Sequence, residues 1–284
     1  MASALTDTWN GEDTTVAEIE RELARLRRSA VEGDATNMRT SVMTHCVWVP
    51  PEWLEPAKDT LSGMGERHPS RTILLVPKPG EPNGLDAEVS VRCFDAGERH
   101  ICSEVIELGL RGNRTLAPAS IVLPLLISDV PVFCRWRGEP AFGEPAWGQL
   151  VGVVDRLIVN TSEWETLRFG ELAESFDLTA VSDLAWANLH AWRIALARCW
   201  PAIREQEIHI RGPLAEATLL HGWLVSRLDR PVAAIKPADE LSVQLGGEQL
   251  AAPDREPLSA SDLLSAELDR LDRDRVYEQA VRAA

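Results

Sequence analysis

Lysine is almost missing from this chain: Lys58, Lys78 and Lys236 are the only lysines among 29 basic residues. None closes a Gly-x-x-x-x-Gly-Lys-Ser/Thr stretch, which excludes the loop that cradles nucleotide phosphates with backbone amides and a lysine. Positive charge is scarce as a whole, with 44 acids against 29 bases and a formal net charge of −15. That balance argues against nucleic acid as a partner, because such binding is driven largely by neutralising phosphates. No apolar run approaches the roughly 18 residues of a membrane span. The opening stretch Met1 to Gly11 is polar and acidic, without the apolar centre of a secretory signal. The expectation is a cytoplasmic protein with neither membrane nor nucleic-acid partners.

Catalytic signatures are lacking too. The five cysteines, Cys46, Cys93, Cys102, Cys134 and Cys199, are odd in number and include no Cys-x-x-Cys, so neither a disulfide framework nor a zinc site is expected. The six histidines are scattered, with no two at i, i+3 or i+4. No Gly-x-Ser-x-Gly elbow occurs. Gly63-Met64-Gly65 is the nearest approach to a dinucleotide fingerprint, but it follows a helix and precedes a strand, which is the wrong context, so it reads as a turn. Ser162 follows a strand, and Glu165 stands at capping-box spacing from it, which accounts for it without chemistry. No catalytic residue, metal or cofactor is assigned.

What is present is a regular alternation of elements. Val16, Ile19, Leu23 and Leu26 recur at helical spacing between Thr14 and Ala30, with Thr14 as candidate N-cap. Thr40 to Val49 reads as a strand, Pro50 to about Gly65 as a helix, and Ile73-Leu74-Leu75-Val76 as a strand buried on both faces. Ala87 to Phe94 and Ile101 to Leu110 flank a turn and form a hairpin. A helix over Leu116–Ser128 leads to a strand over Val130–Trp136, a Gly/Pro-rich loop follows, and Asp155–Asn160 is another buried strand. The second half opens on Asp183, a candidate cap for a helix from Leu184 to Cys199. Strands near Glu207–Arg211, Val232–Ile235 and Leu241–Leu245, a helix over Leu214–Leu228 and an amphipathic tail from Ser259 complete it. The fold class is α/β: a Rossmann-like, mainly parallel sheet in the N-terminal half and a smaller C-terminal α+β module. The expected domains are 1–38 (amphipathic helix), 39–180 (α/β domain) and 181–284 (α+β module with a C-terminal helix).

In such sheets, sites lie beyond the carboxyl ends of the strands. The stretch from Leu123 to Gly138 delivers Arg135, Trp136 and Arg137 to such an end, and these are groups suited to gripping a partner or an anion. Ser70 and Arg71 at a neighbouring strand end, and Trp186, Trp192 and Arg193 on a helix, complete the candidate partner-binding set. Ordinary ion pairs and core tryptophans remain the alternative reading. If Gly97-Glu98 form a two-residue turn, Cys93 faces Cys102 at a distance suited to a reversible disulfide. A register one residue out would leave two independent thiols.

Several separated blocks then make a pattern: Glu66-Arg67-His68-Pro69-Ser70-Arg71, Leu85-Asp86-Ala87-Glu88-Val89, Leu123-Pro124-Leu125-Leu126-Ile127-Ser128-Asp129-Val130-Pro131-Val132, and Asp183-Leu184-Ala185-Trp186 with Trp192-Arg193. In this order they resemble the OpcA family of glucose-6-phosphate dehydrogenase assembly or activator proteins, over roughly Arg39 to Pro231. The chain has His190-Ala191-Trp192-Arg193 where the family often has Thr-Pro-Trp-Arg. The resemblance implies a protein without catalytic activity that binds glucose-6-phosphate dehydrogenase, favours its active oligomer and feeds NADPH production in the oxidative pentose phosphate pathway. It also implies redox control through thioredoxin, for which Cys93 and Cys102 are the candidate thiols. The competing expectation is a sugar-phosphate- or nucleotide-using α/β enzyme with its site at the same strand ends.

Overall fold

The computed structural model describes residues 5–31, 41–62, 64, 67–96, 99–254 and 258–284. Gly63, Gly65 and the turn Gly97-Glu98 lie outside the described residues, as do the side chains of Cys93 and Cys102. The chain divides into two units, Met1–Leu157 and Ile158–Ala284.

The first unit contains β1 (Leu5–Gly11), α1 (Val16–Val31), β2 (Met43–Trp48), α2 (Leu54–Ser62), β3 (Ser70–Lys78), β4 (Gly84–Ala96), β5 (Arg99–Arg111), α3 (Pro118–Leu125), β6 (Val132–Trp136) and α4 (Pro145–Val151). Its sheet runs in the order β1-β4-β5-β3-β2-β6. Strands β5, β3, β2 and β6 pair in parallel, whereas β1, β4 and β5 pair antiparallel. The parallel part is buried on both faces, which is why its sequences are nearly continuous apolar runs: all six residues of β2 and all five of β6 are buried. Helix α1 starts at a reciprocal capping box, in which the Thr15 amide donates to Glu18 Oε2 (3.0 Å) and the Glu18 amide to Thr15 Oγ1 (3.3 Å). Its buried stripe is Ile19, Leu23 and Leu26, as the periodicity predicts.

Strand β7 (Arg156–Val159) spans the division. The second unit follows with α5 (Phe169–Glu174), β8 (Ala180–Asp183), α6 (Leu184–Asn188), α7 (His190–Ala197), β9 (Ile208–Gly212), α8 (Leu214–Leu228), β10 (Lys236–Pro237), β11 (Ser242–Leu245), β12 (Glu248–Gln249), α9 (Ala260–Leu268) and α10 (Arg275–Arg282). A small sheet of order β10-β9-β11-β12 supplies the β part of this unit. The α/β class, the mainly parallel sheet and the second, smaller sheet are as expected.

Local differences have local causes. Strand β1 reads as polar coil because it is an edge strand: its pairing comes from β4, with Trp9 opposite Val89. Helix α4 lies where a Gly/Pro-rich loop is expected, because Pro145 occupies a first helical turn, where its missing amide costs nothing. The capping box expected at Ser162 and Glu165 is instead a single 3-10 turn over Thr161–Glu163, capped by Asn160. The long helix expected from Leu184 divides at Leu189 into α6 and α7, and the tail forms two helices, not one. Residues 232–235 are not a strand; the short β10 follows them.

Candidate partner-binding site

In the first unit, the carboxyl ends of β2 and β6 meet in register, Trp48 beside Trp136. The two indoles stack at 4.8 Å and 16°, and Trp147 from α4 sets its edge against Trp136 at 5.0 Å. Phe142 closes on Trp147 at 4.9 Å. Arg137 extends the ladder by donating its amide to Trp48 O (2.9 Å), and its guanidinium covers Trp53 at 4.8 Å. Gly138 then turns the chain with φ +73, where a Cβ would stand 3.3 Å from Trp53 Nε1. The ground that α/β enzymes use for ligands is therefore filled here by a packed aromatic cluster.

The three residues of the expected partner-binding triad lie inside the protein. Arg135, Trp136 and Arg137 are 2%, 3% and 8% exposed. Arg135 donates back to Trp136 O. The triad organises the strand ends from within.

Ser70 and Arg71 are not beside the triad either. They begin β3, whereas Arg135–Arg137 end β6; the register aligns Arg71 with Thr44 and Trp136 with Trp48 on the intervening β2. Four residues at about 3.3 Å each separate the two rows. Arg71 is buried and engaged: its Nε donates to Glu104 Oε2 (2.7 Å) and its Nη1 to Leu125 O. Arg27 from α1 grips the same carboxylate through Nε and Nη2, the latter at 2.9 Å. Ser70 Oγ lies 3.3 Å from Thr72 Oγ1.

Burial pushes the Glu104 carboxyl up, but Arg71 and Arg27 outweigh that and hold it below its ordinary value. A carboxylate with a depressed folded pKa contributes stability that is present above the unfolded value, about 4.3, and lost as pH falls through the folded one. Glu104→Gln is expected to lower stability at neutral pH by about 2 kcal/mol and to flatten the loss of stability on the acid side. Urea midpoints between pH 3 and 7 check both effects.

Strands β2 and β6 carry further buried titratable side chains. His45 is buried and its imidazole is driven down to about 3 by burial, with Arg135 and His68 adding to the effect, so it stays neutral through the physiological range. Cys46 and Cys134 are register partners on β2 and β6, both free and both fully buried. Burial raises both thiols, Cys134 to about 12, which makes them inert apolar fillers. For Cys93 and Cys102 the backbone register of β4 and β5 sets the two residues directly opposite each other, with Ala96 opposite Arg99.

In the second unit the expected cap at Asp183 is present, and it does more than cap. Its Oδ1 accepts from the Ala185 amide (2.9 Å), starting α6, and from the Thr161 amide (3.1 Å). Its Oδ2 accepts from Thr161 Oγ1 (2.7 Å) and from the Tyr277 hydroxyl (3.3 Å). Trp186, one turn on, donates Nε1 to Asp274 Oδ2 (3.0 Å), while Asp274 Oδ1 caps α10 through the amides of Val276 and Tyr277. The Arg193 guanidinium lies 3.6 Å over the Trp186 ring, and burial lowers its pKa to about 10. Trp186 is 2% exposed and Trp192 is half-buried, so Trp186 and Arg193 form a latch for the C-terminal helix. Among the described residues no group of His, Cys, Asp and Glu could hold a metal ion, and no helix is long and apolar enough to cross a membrane.

Residues 62–174 match the family whose description is the glucose-6-phosphate dehydrogenase subunit N-terminal domain. Over that range the chain is similar to the OpcA family. The chain is also 29% identical over 196 residues to the "Putative OxPP cycle protein OpcA" of Nostoc punctiforme. That alignment covers 62% of this chain and 42% of the relative, so the chain spans well under half of the curated protein it matches.

The OpcA match takes in β3 to β6, α4 and β7, hence the Arg71–Glu104 pair and, of the aromatic cluster, Trp136, Phe142 and Trp147 but not Trp48. It stops before Asp183 and the Trp186–Arg193 latch. Glu104, Trp48, Trp147 and Tyr277 escape a reading of the sequence, because each acts through a partner on a different element of the fold. Only the Trp-rich composition hints at the cluster.

Proposed function

We propose that this chain is a non-catalytic activator and assembly partner of glucose-6-phosphate dehydrogenase that stabilises the enzyme's active oligomer and raises NADPH output of the oxidative pentose phosphate pathway in the cytoplasm. The observation that carries this reading is the match of residues 62–174 to a domain described by that dehydrogenase. The aromatic cluster over the strand ends supports it against a sugar-phosphate or nucleotide enzyme, since Trp48, Trp136 and Trp147 occupy the ground such a substrate would need. An activator of this kind works only by binding the active dehydrogenase state more tightly than the inactive one. Ser70, Arg71, Arg135, Trp136 and Arg137 would shape one supporting framework, and Trp186, Trp192 and Arg193 another. Cys93 and Cys102, opposed in the hairpin register, are the proposed thiol pair, opened by thioredoxin.

The test titrates the chain into its cognate dehydrogenase under oxidising and reducing conditions, following initial rate and complex size. A coupling of about 1–3 kcal/mol predicts an apparent substrate affinity improved by about 5- to 150-fold, with a larger complex. Peptide mass spectrometry of the oxidised protein is expected to find Cys93 linked to Cys102. Unchanged rate and size would overturn the activator reading, turnover by the chain alone would favour the enzyme, and free thiols at both cysteines would remove the redox part.

A further inference from the structure

The segment from Leu184 to Arg204 contains no Asp or Glu and three arginines, Arg193, Arg198 and Arg204, in a chain with 44 acids among 284 residues. Helix α7 lies inside it, and one of its faces is uncovered: His190, Ile194, Ala197 and Arg198, at spacings of four, three and one, are all exposed. Ile194 is 40% exposed. Beyond the helix, Trp200 is 57% exposed, and the Arg204 guanidinium stands 5.4 Å from its ring centre. The other side of the helix is anchored through buried Leu196, so the exposed face is held in place.

An exposed Trp flanked by arginines beside an apolar helix face has the make-up of an interface hot spot: a large, stiff side chain to bury, with guanidinium groups at its rim. The local charge selects the partner's chemistry. The face carries the exposed Arg198 and Arg204 and no acid before Glu205, a local positive charge that attracts an acidic segment in a protein of net charge −15, and Ile194, Ala197 and Trp200 require that segment to carry apolar side chains as well. We propose that the exposed face of α7 together with Trp200 docks an acidic, apolar-bearing segment of a protein partner. The inference rests on the reading that the chain binds the dehydrogenase, and it names the face that does so. This face is separate from the buried Trp186–Arg193 latch.

Trp200→Ala and the double substitution Arg198→Glu/Arg204→Glu alter exposed side chains only, and circular dichroism and thermal melts are expected to match the wild type. Each is titrated against the purified cognate dehydrogenase at low and high salt, with a labelled single-stranded oligonucleotide as a parallel probe. Trp200→Ala is expected to weaken dehydrogenase binding at least about 10-fold at both salts. The charge reversal is expected to weaken it strongly at low salt and far less at high salt, where screening already hides the charges. If the wild type binds and both variants bind equally well, this face is not the docking surface, although the chain remains a dehydrogenase partner. No binding by the wild type would overturn both proposals. Oligonucleotide binding lost in the variants, with dehydrogenase affinity unchanged, would make the patch a nucleic-acid site and overturn the inference.

Discussion

Replacement of Asp183 by alanine is expected to destabilise the second unit by about 3–5 kcal/mol. The carboxylate is 1% exposed and accepts from four donors: the Thr161 amide at 3.1 Å, Thr161 Oγ1 at 2.7 Å, the Ala185 amide at 2.9 Å and the Tyr277 hydroxyl at 3.3 Å. Alanine leaves these donors inside the protein without that acceptor, and a buried unsatisfied group costs about 1–3 kcal/mol. The loss is not confined to one element, because the four donors belong to the turn after β7, the start of α6 and the first turn of α10. Tyr277 is fully buried, and burial foremost, then the Asp183 charge, raises its pKa well above the usual value, so it stays a donor. Its ring also packs on Phe176 and Trp186, each at 5.8 Å. Tyr277→Phe keeps that packing and is expected to cost about 1 kcal/mol. Urea unfolding together with hydrogen exchange at the Thr161 and Ala185 amides reads both variants. A stability loss in Asp183→Ala no larger than in Tyr277→Phe would show that the carboxylate is not the hub.

Replacement of Trp136 by alanine is expected to cost the first unit about 3–5 kcal/mol, the range for emptying a buried indole site. That is a large share of the roughly 5–15 kcal/mol that holds a domain folded. Trp136 is 3% exposed and contacts aromatic rings on two sides, Trp48 by stacking and Trp147 edge-on, and each such pair contributes about 0.5–1.5 kcal/mol beyond its area. Trp136→Phe preserves an aromatic plane in less volume and is expected to lose markedly less. Urea midpoints of the Ala and Phe variants against the wild type read the difference. Equal destabilisation by the Phe and Ala variants would mean that the ring stacking contributes little.

Some elements were legible because their cause is local. The stripe Ile19–Leu23–Leu26, the apolar run Ile73–Val76 and the cap at Asp183 each follow from residues within one or two turns of one another, and the structure has them. The hairpin register that opposes Cys93 and Cys102 was legible too, since a two-residue turn dictates every pair behind it. Strand β1 was not, because an edge strand with a polar sequence is a strand only once β4 lies beside it. Arg71 and Trp136 were legible as unusual residues but not as to their surroundings. From spacing alone they could share a surface; the parallel register puts them at opposite ends of their strands, one under a salt bridge and one inside an aromatic cluster.

By itself the sequence determined the α/β class, through hydrophobic periods of about 3.6 and long apolar strands, and the likeness to the OpcA family, through ordered motifs that need no coordinates. Tertiary structure alone decided which of its tryptophans and arginines are available to a partner. Burial is a property of what the rest of the chain lays over a side chain: Trp136 and Trp200 look alike in sequence, yet strand pairing encloses the first and leaves the second 57% exposed beside Arg204.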